Sequence, residues 1–176
     1  MFGCCNSFFS SLCGCNRCSG GGSIPPPIPS PFPPVTPAPA PQLRGMQLSL
    51  VGSSAGSVAS EASVAFDTVN SNNALGVSYT SGSGQIVIGR TGTYLVNWWI
   101  AVENAQTAET ISVALKLNGT PVQTSYSDIG GGQIYGSAIV NVSSISSTLT
   151  LVNCSGCEIT LATAAGQGGL TLTQFA

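Results

Sequence analysis

The sequence ISVALKLNGTPVQTSY, residues 111–126, predicts a β-hairpin and with it the fold class. Apolar side chains alternate with small or polar ones over residues 111–117, which is the period of a strand with one buried face. Asn118 and Gly119 follow, and this pair favours a two-residue turn because both residues tolerate positive φ. The segment therefore predicts a half-buried strand, a tight turn and a return strand.

Eight further segments of the same kind lie between about Gln42 and Ala176, and short turns separate them. No window shows the sustained 3.6-residue period of a helix, so the pattern predicts an all-β sandwich or jelly roll of ten strands. The predicted strands are residues 46–52, 63–67, 84–89, 93–102, 110–117, 121–126, 133–142, 147–153, 158–163 and 169–175.

The predicted strand at residues 93–102, TYLVNWWIAV, is apolar on both faces. Tyr94 and Trp98 fall on one face, and Leu95 and Trp99 fall on the other. A single sandwich buries one face of each strand, so the second apolar face predicts contact with a partner subunit. A monomeric sandwich with an uncharged polar surface remains the alternative.

Composition argues against catalysis and against nucleic-acid binding. Charged residues make up 6% of the chain, with four basic and six acidic side chains and a net charge of −2, so no basic surface can neutralise phosphates. Histidine, the commonest general base and metal ligand, is absent. We therefore expect no enzyme, no catalytic residue, no bound metal and no cofactor. The carboxylates are scattered, at Glu61, Asp67, Glu103, Glu109, Asp128 and Glu158.

Residues 1–22 form a predicted cysteine-rich connector or anchor. Its cysteines are Cys4, Cys5, Cys13, Cys15 and Cys18. Polar residues and glycines interrupt its apolar residues, so we expect neither a membrane span nor a secretory signal peptide. Because a flexible arm does little to orient its own bridges, these thiols are candidates for disulfide cross-links to another chain. The spacing does not fit a structural zinc site, which remains the alternative.

Residues 23–42 form a predicted polyproline II linker, with ten prolines among the eighteen residues 24–41. Two interpretations stay open, of which the first is a stiff spacer. In the second, apolar side chains of the linker dock onto another subunit, as proline-rich strands dock in aromatic-lined grooves. The docking candidates are Ile24, Ile28, Phe32 and Val35.

The remaining two cysteines, Cys154 and Cys157, flank Ser155 and Gly156 between two predicted strands. A two-residue turn would place them opposite each other at a distance of about 5.5 Å between Cα atoms, within the range of a local disulfide. We therefore predict a local bridge as their use.

The head, residues 43–176, resembles the complement 1q and tumour necrosis factor-like domain family. The similar pattern is a Phe, five residues, an Asn and, further on, Gly-x-Tyr-x-apolar-x-aromatic. Its positions here are Phe66, Asn72, Gly92, Tyr94, Val96 and Trp98. The resemblance implies a ten-stranded jelly roll that forms a homotrimer. It also implies aromatic residues at the trimer interface or core, for which the candidates are Phe66, Tyr94, Trp98, Trp99 and Phe175.

Two further resemblances concern function. ISVALKLNGTPV and the closing GGLTLTQFA are similar to the C-terminal domain of the collagen-like glycoprotein of the bacillus exosporium. The N-terminal FGCC with its later cysteines resembles the connector of endospore appendage pilins, which cross-links successive subunits. Together they imply a structural subunit of a fibre or exosporium layer at the bacterial spore surface. The arm, residues 1–42, would then contact further copies or a coat or exosporium protein.

Two other functions remain open at this stage. The first is a protein that anchors a fibre to the spore coat through the arm. The second is a trimeric adhesin-like module that binds a ligand through its loops, although these predicted loops hold few of the aromatic and arginine residues typical of binding hot spots. Asp128 and the glycines after it mark a loop rather than a calcium site.

Overall fold

Two antiparallel β-sheets make up the part of the chain that the computed structural model describes, residues 42–52, 56–105, 110–128, 132–163 and 166–175. These ranges contain no helix, and so none of a length and apolarity that could cross a membrane. The all-β class is therefore confirmed. The predictions for the connector and for residues 23–41 of the linker fall outside the described residues.

Twelve strands occur within the described ranges. They are β1 (Arg44–Leu50), β2 (Ser57–Val58), β3 (Thr68–Asn72), β4 (Val77–Tyr79), β5 (Ile86–Ile88), β6 (Gly92–Ala105), β7 (Ile111–Leu117), β8 (Thr120–Ser127), β9 (Gly132–Val142), β10 (Ser147–Asn153), β11 (Ile159–Leu161) and β12 (Gly168–Phe175).

Strand β6 organises the larger sheet. That sheet has seven strands in the order β2-β11-β6-β12-β1-β3, with β9 also paired to β6. Both β12 and β9 pair with the same stretch of β6, since Trp98 is opposite Leu170 on β12 and opposite Gly136 on β9. The two neighbours therefore lie on opposite edges of β6. The smaller sheet has five strands in the order β4-β5-β10-β7-β8.

The predicted hairpin at residues 111–126 is confirmed. Strands β7 and β8 pair around Asn118 and Gly119, whose φ angles are +50° and +80°. The prediction that β7 is only half-buried is wrong, because Ser112 and Ala114 on its second face are also buried. The loop after β10 covers this end of the strand, where the Ser112 N–H donates to Ser155 Oγ at 3.0 Å.

Nine of the ten predicted strand segments contain a strand. The exception is residues 63–67, where Ser63 makes only an isolated bridge to Val152 and the remaining residues are not in a strand. The Val64 N–H donates to the Leu151 carbonyl at 2.7 Å, and Phe66 is buried, so this segment fills the core without extending a sheet. Strands β2, β3 and β4 were not predicted.

The core lies between the two sheets and is filled by aliphatic side chains with three aromatic ones, Phe66, Tyr94 and Trp98. The Trp98 indole lies over Gly136, the residue opposite it on β9. A Cβ atom at Gly136 would lie 2.1 Å from Trp98 Cζ2, so only glycine leaves room for the ring. This close approach couples β9 to the core.

Replacement of Gly136 by alanine should destabilise the head by about 1–3 kcal/mol, because the Trp98 ring must move out of a packed position. Thermal unfolding of the reduced full-length protein measures the effect. Ser78→Ala is the control, since Ser78 is an exposed strand residue of the smaller sheet. Equal melting temperatures for the two variants would contradict the packing described here.

Asn153, at the end of β10, is a buried polar residue that joins three segments. Its side-chain amide donates to the carbonyls of Val58 and Cys157, at 2.9 and 2.8 Å, and its Oδ1 accepts from the Ser155 N–H at 3.0 Å. A buried amide is stable only when it is satisfied in this way. Asn153 therefore fixes the loop that carries the chain from the five-stranded sheet to β11.

Three ionisable side chains hold their protons more tightly in the folded head than in the unfolded chain. Burial raises the pKa of the Tyr94 and Tyr79 phenols above the usual value, and the hydrogen bond that Lys116 donates to Glu61 raises the pKa of Lys116. A pKa raised on folding contributes stability below the unfolded-state pKa, and this contribution is lost as the pH rises through the folded-state pKa. All three groups therefore stabilise the folded head at neutral pH and lose this contribution in alkaline solution.

The free energy of unfolding should be nearly constant from neutral pH to about pH 9 and fall above about pH 10. Urea unfolding curves at about pH 8 and about pH 11 measure this difference. Tyr94→Phe should reduce the alkaline loss, because phenylalanine has no proton to release. An unchanged alkaline loss in Tyr94→Phe would contradict the contribution of this phenol.

Candidate assembly interface

The outer face of the seven-stranded sheet carries the second apolar face that the sequence predicts for β6. Because side chains alternate along a strand, Leu95 and Trp99 point away from the core that holds Tyr94 and Trp98. Both outer residues are only half-buried. The predicted face is therefore partly open in the single chain.

Strand β9 extends this face with two more apolar side chains. Its register places Tyr135 opposite Trp99 and Ile139 opposite Leu95. Tyr135 is 76% exposed and Ile139 is 64% exposed, the latter an unusual value for an aliphatic residue in the middle of a long strand. On the other edge of β6, Phe175 is opposite Thr93 and is 47% exposed. Three adjacent strands thus present large apolar side chains on one face.

A groove with a volume of about 710 Å³ crosses this face. The Trp99 indole lies across β12 at Gly169, where a Cβ atom would be 2.7 Å from its Nε1. The groove has amide and hydroxyl groups beside the aromatic rings and no charged side chain in its lining. Its polar lining residues include Gln47, Ser49, Asn97, Gln123, Ser137 and Thr171.

Trp98, whose side chain belongs to the core, also borders the groove. Within the described residues its buried indole Nε1–H has no hydrogen-bond acceptor. Burial of such a donor costs free energy unless an acceptor is supplied. This indole lies on the core side of the sheet, so its unsatisfied donor is a cost within the head, and the groove itself offers exposed apolar surface with neutral polar groups.

No comparable apolar face occurs on the described residues of the smaller sheet. Its exposed large side chains are Val87 on β5 and Val122 and Tyr126 on β8. Strands β10 and β7 separate β5 from β8. These residues are therefore not contiguous across the sheet, as those on β9, β6 and β12 are.

The structure divides the predicted interface or core residues into two groups. Phe66, Tyr94 and Trp98 belong to the core, whereas Trp99 and Phe175 lie on the outer face. Tyr135 and Ile139 were not predicted as interface residues. Their strand was predicted, but only its register with β6 places them beside Trp99 and Leu95.

The two head cysteines do not flank a hairpin turn. Strands β10 and β11, which the loop connects, belong to different sheets, so the predicted two-residue turn is wrong. Cys154 and Cys157 are both half-buried free thiols in this structure. A local disulfide between them stays a prediction.

The described residues contain no group of three or more cysteine, aspartate or glutamate side chains that could hold a metal ion. The described carboxylates lie on separate loops and strands, and one of them, Glu61, forms an ion pair with Lys116 at 3.0 Å. The chemistry available on the outer face is apolar contact and neutral hydrogen bonding. This composition is typical of a protein–protein interface.

No family model and no curated protein sequence matches the chain. Solved structures are similar in fold. Murine APRIL at pH 8.5 is 11% identical, with a TM-score of 0.58 over 76% of this chain and 100% of that chain. The globular domain of zebrafish complement 1qA is 11% identical, with a TM-score of 0.54 over 75% and 95%.

Eiger tumour necrosis factor from S. frugiperda is 15% identical, with a TM-score of 0.53 over 76% of this chain and 93% of that chain. At such identities the likeness concerns the fold alone. The head therefore has the jelly-roll fold of the tumour necrosis factor and complement 1q globular domains.

Proposed function

We propose that this chain is a structural, non-enzymatic subunit that assembles as a homotrimer through the outer face of the seven-stranded sheet. The observation that carries the proposal is the exposure of Tyr135, Ile139 and Phe175 on one face, with Tyr135 opposite Trp99 and Ile139 opposite Leu95. Large exposed apolar patches on soluble domains mark interaction surfaces. The tumour necrosis factor-like fold supports a threefold arrangement, which the sequence resemblance also implies.

The double variant Tyr135→Ser/Ile139→Ser should weaken the trimer by about 100-fold or more, because buried aromatic and aliphatic anchors dominate interface energies. Sedimentation velocity over a dilution series measures the change. Val87→Ser is the matched control, since Val87 is an exposed apolar residue on the other sheet. Equal trimer stability in the variant and the control would contradict the assignment of this face.

The finer proposal is that the trimers are subunits of a bacterial spore-surface fibre or exosporium layer. Five cysteines within residues 1–22 and ten prolines within residues 24–41 support an arm that extends from the head and forms disulfide bonds with other chains. Disulfides each contribute about 2–4 kcal/mol and slow dissociation further, which suits a mechanical role.

Negative-stain electron microscopy of oxidised full-length protein and of a version that begins at Gln42 tests the role of the arm. Filaments from the full-length chain, with discrete trimers from the shortened chain, are the expected result. Discrete trimers from both would contradict the fibre-subunit proposal and favour the anchoring alternative. Replacement of the five arm cysteines by serine should make full-length filaments dissociate on dilution.

A further inference from the structure

Two of the four basic residues of the chain converge on one cavity. Arg44 and Arg90 line a space of about 360 Å³ together with Leu75, Gln174 and Phe175. No carboxylate contributes to the lining. Neither arginine takes part in an ion pair with another described residue. In a chain with six acidic and four basic residues, this is a concentration of positive charge without an ion-pair partner among the described residues.

Neighbouring groups hold the cavity in shape. The stem of Arg90 lies against Gly76, where a Cβ atom would be 2.8 Å from Arg90 Cγ. The buried Tyr94 hydroxyl donates to the Arg90 carbonyl at 2.9 Å. Gln174 Oε1 accepts from the Leu75 N–H at 3.2 Å. The backbone that presents Arg90 is thus fixed by contacts with the core and with β12.

This cavity lies at one end of the sandwich. Arg44 begins β1 and is opposite Gln174, near the end of β12. Phe175 is opposite Thr93, and Arg90 comes two residues before the start of β6. We call this the basic end of the head.

Three exposed carboxylates lie at the opposite end. Glu103 is near the end of β6, and Glu158 comes directly before Ile159, which is opposite Ala105. Asp128 follows β8 and precedes β9, whose first residue is opposite Val102. Strand β6 has 14 residues and spans roughly 40 Å, so the two groups of charges are well separated.

The two remaining described carboxylates already have partners within the head. Glu61 accepts from Lys116 Nζ at 3.0 Å, and Asp67 accepts from the Val51 N–H at 3.2 Å. The charges left to interact with other molecules therefore have opposite signs at opposite ends. Among its described residues, the head carries unpaired positive charge near the start of β6 and unpaired negative charge near its end.

We propose that the basic end of one head binds the acidic end of a second head, so that trimers associate end to end. The proposal rests on the trimeric structural subunit proposed above. Arginine suits such a contact because its planar guanidinium pairs with carboxylates through two hydrogen bonds. The arm cannot supply the carboxylate, since residues 1–42 contain neither Asp nor Glu. A contact between two different surfaces is heterologous, and because this one joins opposite ends of the head, its repetition gives an open chain of heads.

The test uses full-length protein in a reducing buffer, which removes disulfide cross-links, at low ionic strength. Sedimentation velocity separates trimers from end-to-end assemblies. Arg44→Gln/Arg90→Gln should weaken the association of trimers by about tenfold, because three weak contacts act together in each trimer pair. Raising the salt concentration should have the same effect on the wild type.

A matched control and a charge exchange make the test specific. Ser78→Asp/Thr80→Asp changes the net charge equally at two exposed positions, one on β4 and one directly after it, and it should retain the association. Arg44→Glu/Arg90→Glu should abolish the association, and addition of Glu103→Arg/Glu158→Arg to that variant should restore it.

The remaining outcomes separate failure of this inference from failure of the proposed function. Trimers of Arg44→Gln/Arg90→Gln that associate like the wild type would overturn this inference and leave the proposed function intact. Monomers in every variant, the wild type included, would overturn the proposed function itself. The charge exchange could fail while the wild type binds inorganic phosphate and Arg44→Gln/Arg90→Gln does not. That result would make the cavity a small-anion site and overturn the end-to-end contact.

Discussion

The structure depends on one strand, β6, which is central to the larger sheet and pairs with three others. Strand β9 occupies one of its edges, and β12 and β11 pair with it on the other side. Both edges of β6 are occupied. A shift of one residue in its register would move Leu95 and Trp99 into the core and Tyr94 and Trp98 to the outer face. The register of this strand thus determines at once what the core contains and what the outer face presents.

The fold class and most strands could be predicted from sequence because alternation and turn chemistry are local properties. Asn118 and Gly119 fix their hairpin through φ angles that few other pairs adopt. Strands β2, β3 and β4 could not be predicted, since they have five residues or fewer and largely polar sequences. Such strands exist because a neighbouring strand offers hydrogen-bonding groups, and a single sequence does not contain that information.

The interface was only partly predictable, for a similar reason. Trp99 could be assigned to a second apolar face from the alternation within β6 alone. Tyr135 and Ile139 became candidates only through their register with β6 across the sheet. Asn153 is buried although it is polar, because its hydrogen-bond partners include Val58, which is 95 residues away in sequence. Contacts of this kind depend on topology rather than on local pattern.

The pairing of β1 with β12 has a consequence for the biosynthesis of the protein. Leu48 is opposite Leu170, so the first strand of the head remains without this neighbour until the last one has been translated. The outer face, to which β12 contributes, is therefore incomplete on a partly synthesised chain. Non-local pairing of this type slows folding. Until β12 has paired with β1 and β6, the outer face therefore lacks the contribution of Phe175.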